Sequence, residues 1–159
     1  MTAERSAGMQ ILGLAAFVAA AATAATLGAL GVPGTESEYA NLNQPSWAPP
    51  SEVFGPVWTV LYAMIAVAGW LVWRSSGWSW ALGVYAAQLV LNAAWTPLFF
   101  GAGRYDLAMA DITVMWILIG LTIFGFWRLS RWAALLLVPY WMWVTFAAAL
   151  NWSIWRLNP

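Results

Sequence analysis

Apolar residues run along this chain in five long stretches, each about the length of a membrane helix and each closed by arginine, glycine or proline. A hydrocarbon core about 30 Å thick takes about 20 residues of helix to cross, and no backbone polar group can be left open inside it. The stretches predict helices over 8–30, 51–73, 78–100, 105–127 and 132–154, with Arg74, Arg104, Arg128 and Arg131 in the short breaks. The fold class that follows is an all-α integral membrane bundle of five transmembrane helices. It forms a single membrane domain over residues 1–159, with a long loop over 31–50 between helices 1 and 2. Arg5 before an Ala-rich run also fits a cleaved leader, but the apolar run outlasts a signal core of about 7–15 residues and favours a span.

Polar positions inside the stretches show which faces turn inward. At about 100° per residue, Gln88, Asn92, Trp95, Thr96 and Phe99 share one side of the third helix. Gly83, Ala87, Val90 and Ala94 lie nearly opposite, a small-residue stripe that suits close helix approach. That stripe reads either as a homodimer seam or as packing against a neighbour in the same chain. Trp143, Ala147, Leu150, Asn151 and Ile154 repeat the 3–4 spacing in the fifth helix, next to Pro139, and Trp58, Leu61, Tyr62 and Ile65 do so in the second, below Pro56. Amides are poorly tolerated against lipid, so Gln88, Asn92 and Asn151 need partners inside the protein. Large aromatics beside small residues with a few amides describe a cavity for a flat, mostly apolar ligand.

The loop over 31–50 carries Glu36, Glu38, Tyr39, Asn41, Asn43, Trp47 and four prolines. Trp47 followed by Pro49 and Pro50 predicts a stiffened cover over the bundle, with a plain interfacial anchor as the other reading. Trp73, Trp78, Trp80, Trp127 and Trp132 fall at helix ends, where an aromatic belt accounts for them. Trp58, Trp95 and Trp143 lie on inward faces, where an indole fills core or stacks on a planar guest. Asp111 sits inside the fourth span. It reads as a partner of Arg104 or of a hydrogen-bond donor, or else as part of an ion path.

Charge narrows the function classes. Six Arg balance six Asp and Glu, and charged residues are 8% of the chain against 63% hydrophobic. With no basic patch, nucleic acid is not an expected partner. Cys, His and Lys are absent, which removes thiol chemistry, histidine metal sites and amine nucleophiles, so no metal or obligatory cofactor is expected. Arg5, Arg74, Arg128 and Arg131 fall on one side and Arg104 and Arg156 on the other, which predicts a cytoplasmic amino terminus in a bacterial cell membrane.

Several motifs in one order then carry a family likeness. They are Pro45-Ser46-Trp47-Ala48-Pro49-Pro50, Gly55-Pro56-Val57-Trp58 with Leu61-Tyr62, and the run from Gln88 to Trp95 with Pro97-Leu98-Phe99-Phe100-Gly101. Val138-Pro139-Tyr140, Trp143, Phe146-Ala147, Leu150-Asn151 and Trp155-Arg156 complete them. From about Tyr39 onward the chain resembles the tryptophan-rich sensory proteins, also called translocator proteins and formerly peripheral benzodiazepine receptors. The resemblance implies a pocket beneath the first loop, a homodimer, and binding of porphyrins such as protoporphyrin IX, synthetic benzodiazepine-site ligands and sterols. It implies a role in tetrapyrrole regulation or stress response, in some members with light-dependent porphyrin breakdown. Trp58 and Trp143 match the family's pocket tryptophans, which would also serve any porphyrin degradation. Ala147 matches a small residue whose enlargement disturbs binding, and Asn92, Trp95 and Leu150 match other wall positions. The family's sterol motif is matched at Leu150 and Arg156, but Trp152 replaces its tyrosine. Leu107 stands where the family has a tryptophan, which implies a shifted ligand preference.

The expected site is therefore Trp58, Tyr62, Asn92, Trp95, Phe99, Trp143, Ala147 and Leu150, taking protoporphyrin IX or another lipophilic small molecule. Asn92 or the loop would supply hydrogen bonds. A transporter of porphyrins or other lipophiles is the alternative, and a purely structural membrane subunit a third reading. An odd number of spans with no visible repeat fits a repeat-built transporter poorly.

Overall fold

Every long apolar stretch is helical in the computed structural model, which describes residues 6–30 and 34–159. The elements are α1 (Ala7–Leu30), α2 (Thr35–Asn41), α3 (Phe54–Ser76), α4 (Trp80–Thr96), α5 (Tyr105–Leu129) and α6 (Arg131–Leu157). A 3₁₀ turn over Ser51–Val53 leads into α3 and a π-helical turn over Pro97–Gly101 extends α4. Among the described residues, five helical segments are long and apolar enough to cross a membrane. At about 1.5 Å per residue, the 24 residues of α1 reach about 36 Å, enough for a bilayer core.

The spans form a closed ring. α1 packs on α3 and α4, α3 on α6, α6 on α5, and α5 on α4. Consecutive α3 and α4 are therefore not principal neighbours, and their inward faces look at each other across the interior.

Side-chain size decides what that interior holds. Where α1 begins and α3 ends, rings fill the middle. Tyr85 stacks on Phe126 at 5.8 Å, Phe17 meets Tyr85 edge-on at 5.9 Å, and the Tyr85 hydroxyl donates to the Ile65 carbonyl at 2.9 Å. Gly69 faces the Phe17 and Tyr85 rings, and Gly125 faces Trp80 and Ala81, so closely that a Cβ at either would stand 2.7 Å from its neighbour. Trp73 packs over Gly13 of α1 instead of serving only as belt, whereas Trp78, Trp80, Trp127 and Trp132 are exposed as expected.

Ends and turns follow local chemistry. The α3–α4 turn needs Gly77, whose φ of 71° disfavours a side chain. Ser130 caps α6 by accepting from the Ala133 amide at 3.4 Å. Pro56 falls in the first turn of α3, where no amide donor is needed. Pro139 lies inside α6, which runs on through it.

The segment expected as loop over 31–50 contains α2, seven residues long; positions 31–33 of it lie outside the described residues. On α4, Gly83, Ala87 and Val90 point outward, Val90 68% exposed, and Ala94 is half-buried. Among the described residues no helix covers the first three.

Candidate functional site

At the opposite end of the ring, where α1 ends and α3 begins, a cavity of about 450 Å³ remains. All eight residues expected at the site line it: Trp58 and Tyr62 from α3, Asn92 and Trp95 from α4, Phe99 from the π turn, and Trp143, Ala147 and Leu150 from α6. The 3–4 spacings bring them together because each helix turns one stripe into the ring. Pro97 has no amide hydrogen, so the α4 ladder breaks there and the Ala102 amide reaches back to the Pro97 carbonyl at 2.9 Å. Phe99 is thereby stacked on Trp95 with centroids 4.8 Å apart.

The amides of the wall are held by the protein itself. Tyr62 donates to Asn92 Oδ1, Asn92 Nδ2 donates to the Tyr140 hydroxyl at 2.9 Å, and that hydroxyl donates to Gln88 Oε1 at 2.7 Å. Trp95 Nε1 donates to Asn151 Oδ1 at 3.0 Å, and Asn151 Nδ2 to the Tyr105 carbonyl at 3.1 Å. In hydrocarbon these bonds have no water to compete with, so they fix the rotamers of the wall. Asn92 thus commits one N–H and one lone pair of its oxygen within the protein and keeps its place on the cavity wall. Trp143 Nε1 is buried without a hydrogen-bond partner among the described residues.

The cover is α2, not the proline stretch. Thr35, Glu36 and Tyr39 of α2 and Ser51 of the 3₁₀ turn line the cavity, while Trp47, Pro49 and Pro50 do not. These three act from behind. The Pro49 carbonyl accepts from the Tyr39 hydroxyl at 3.0 Å, and Trp47 meets Phe146 edge-on at 5.7 Å, itself 5.3 Å from Trp143. Burial pushes the Tyr39 hydroxyl above its usual pKa, which keeps it a donor. The loop is clasped to the end of α6: the Asn43 amide donates to Asn158 Oδ1 at 3.0 Å and Asn158 Nδ2 donates back to the Asn43 carbonyl at 2.9 Å.

Other expected groupings separate. Leu150 faces the cavity, whereas Trp152 and Arg156 face outward, the guanidinium 5.9 Å over the indole. Two residues along a helix turn about 200°, so the sterol motif does not form one surface. Arg104 pairs with Asp106 at 2.7 Å and not with Asp111, whose Oδ2 is buried without a hydrogen-bond partner among the described residues. Leu107 is 44% exposed and off the cavity wall. A change from tryptophan there cannot reshape the wall directly.

Residues not singled out as site also line it: Ala25, Gly28 and Ala29 of α1, Phe54 of α3, and Ile112 and Met115 of α5. The spacing of Ala21, Ala24 and Gly28, all buried, was the available signal in α1, hidden by a helix apolar all round. The hollow is shallowest between α1 and α3, where Ala29, Gly55 and Thr59 are on the wall and yet exposed.

Comparisons with known proteins agree with this architecture. A family model described as the TspO/MBR family matches residues 15–156. The chain is 45% identical over 120 residues to a tryptophan-rich sensory protein of Cereibacter sphaeroides, covering 76% of each. It is 40% identical over 125 residues to the translocator protein of Homo sapiens, covering 76% of this chain and 74% of that one. Protein CrtK of Rhodobacter capsulatus is 37% identical over 128 residues, 76% of this chain and 78% of the relative.

Proposed function

The chain belongs to the TspO/MBR family of multi-pass membrane proteins, and from that premise we propose that it is a sensor whose cavity binds protoporphyrin IX and other flat lipophilic molecules. The observation that carries this reading is the composition of the wall. Indoles and phenyl rings from α3, α4 and α6 surround a hollow of about 450 Å³, with Ala147 leaving space. That volume lies in the range of about 300–1,000 Å³ usual for small-molecule sites. A planar macrocycle would stack on Trp58 and Trp143.

Binding then serves tetrapyrrole regulation or a stress response. Where light excites a bound porphyrin, any breakdown starts from the pigment itself, and Trp58 and Trp143 supply position and oxidisable rings. The protein sits in a bacterial cell membrane with its amino terminus in the cytoplasm, following the arginine asymmetry. It pairs as a homodimer along Gly83, Ala87, Val90 and Ala94, a stripe narrow enough for two α4 helices to meet.

The test is a tryptophan-quenching titration of the detergent-purified protein with protoporphyrin IX, repeated on Trp143→Phe and Ala147→Leu. Saturable binding, weakened at least about tenfold by Ala147→Leu, is expected where a methyl-sized space is filled. Equal, unsaturated quenching in all three proteins means partition into the micelle and rejects the reading.

A further inference from the structure

Glu36 is the one charged side chain on the wall of the cavity among the described residues. It is exposed at the mouth, and no hydrogen bond or ion pair engages it there. No cation offsets its charge on the wall among the described residues. Glu38 and Glu52 lie at the same end, while the two arginines there are occupied elsewhere: Arg104 by Asp106 at 2.7 Å, and Arg156 over the outward-facing Trp152.

A disc-shaped ligand with carboxylates on one edge has two placements. Carboxylate inward, it meets rings, alkyl groups and two amides already bonded to Tyr62, Tyr140, Trp95 and the Tyr105 carbonyl, with no cation on the wall among the described residues. Leaving an ionised carboxylate unpaired in such a place is strongly unfavourable, so the outward placement is the lower in energy. Carboxylate outward, the edge emerges at the mouth and meets Glu36, like charge facing like.

We infer that Glu36 sets the charge selectivity of the cavity, weakening flat ligands that carry carboxylates and favouring uncharged or amine-bearing ligands of the same shape. This rests on the reading of the cavity as the ligand site and names the class of ligand that suits it. Because the mouth is wet, the penalty is screened by salt. The selectivity is therefore strongest at low ionic strength.

Matched porphyrins test it on the full-length protein in a neutral detergent. Protoporphyrin IX and its dimethyl ester share a ring system and differ in charge. With Glu36→Gln the acid tightens about threefold to tenfold while the ester stays within about twofold, the scale of one partly screened charge. Glu36→Lys carries the acid further in the same direction, and Glu52→Gln, an acid off the wall, changes neither ligand by more than about twofold. Added salt narrows the gap between the two ligands in the unmodified protein and leaves it unchanged in Glu36→Gln. The inference is overturned if both porphyrins bind saturably but Glu36→Gln shifts them alike, or if Glu52→Gln matches Glu36→Gln. Saturation by neither porphyrin rejects the ligand-site reading itself, and this inference with it.

Discussion

The two ends of the ring are built from the same five helices and the same residue types, yet one is solid and the other hollow. At the solid end three inward-facing glycines each receive a ring or a methyl: Gly13 takes Trp73, Gly69 takes Phe17 and Tyr85, Gly125 takes Trp80 and Ala81. At the hollow end Gly55 has nothing within 4 Å of where a Cβ would stand, and Gly28 meets only Thr96 and a backbone carbonyl at 3.4 Å or more. Small residues let helices approach when something large faces them, and they leave space when nothing does. The proposed ligand site rests on that second use, and the solid end supplies the rigidity that keeps the space from collapsing.

The sharpest way to break this comparison is to add one methyl group at each end. Gly125→Ala places Cβ 2.7 Å from the Ala81 Cβ, which has no rotamer with which to yield, so α4 and α5 must move apart. A loss of about 1–3 kcal/mol is expected, as for other overpacked cores, read as a lowered unfolding midpoint in detergent. Gly55→Ala finds open space in the first turn of α3. It is expected to stay within about 0.5 kcal/mol or to stabilise. Similar losses from the two substitutions would mean that the ends are not packed differently.

A second substitution addresses the boundary between the ends. The Tyr140 hydroxyl, fully buried, accepts from Asn92 on the cavity wall and donates to Gln88, and its ring stands 6.2 Å from Trp58. Tyr140→Phe keeps the ring and leaves both amides short of a partner. About 1 kcal/mol of stability should be lost, typical of side-chain bonds between membrane helices. Porphyrin affinity should weaken by about threefold or less, because Asn92 loses one of the bonds that hold it against Tyr62. Unchanged stability would show that the chain of amides does not brace the hollow.

How far the sequence foretold this depends on which physical signal each feature leaves. The spans were legible because hydrocarbon forces a long apolar run into a helix, and the wall from Trp58 to Leu150 because aromatics and amides stand out at 3–4 spacing against an aliphatic background. The share of α1 was not, since Ala25 and Gly28 on an all-apolar helix carry no contrast between faces. Nor was α2: Thr35–Asn41 is short and polar, and its place over the cavity depends on Tyr39 reaching Pro49, a contact between segments. The pairing of Arg104 with Asp106 over Asp111 turned on geometry at the start of α5 that charge spacing does not encode.

The smallest expected effect concerns the cover, the part of the hollow end with no counterpart at the solid one. Asn158 and Asn43 exchange two hydrogen bonds that tie the loop after α2 to the last turn of α6, at 3.0 and 2.9 Å, and Asn158 also bonds the Ile154 carbonyl at 2.8 Å. These groups lie at the wet end of the bundle, where water replaces a lost bond and each contributes about 0.5–1.5 kcal/mol. Asn158→Ala should therefore leave the unfolding midpoint nearly unchanged, since the spans pack without it. What it should change is the rate at which the cover opens. Ligand release is expected to quicken by about threefold to tenfold, with association quickened by a similar factor and the dissociation constant little altered, because the cover's bonds are broken on the way in and on the way out alike. Stopped-flow quenching on preloaded protein reads both rates. If release were unchanged while Gly55→Ala at the α1–α3 edge altered it, guests would be passing sideways between the helices and the clasp would be only a tether for the chain end.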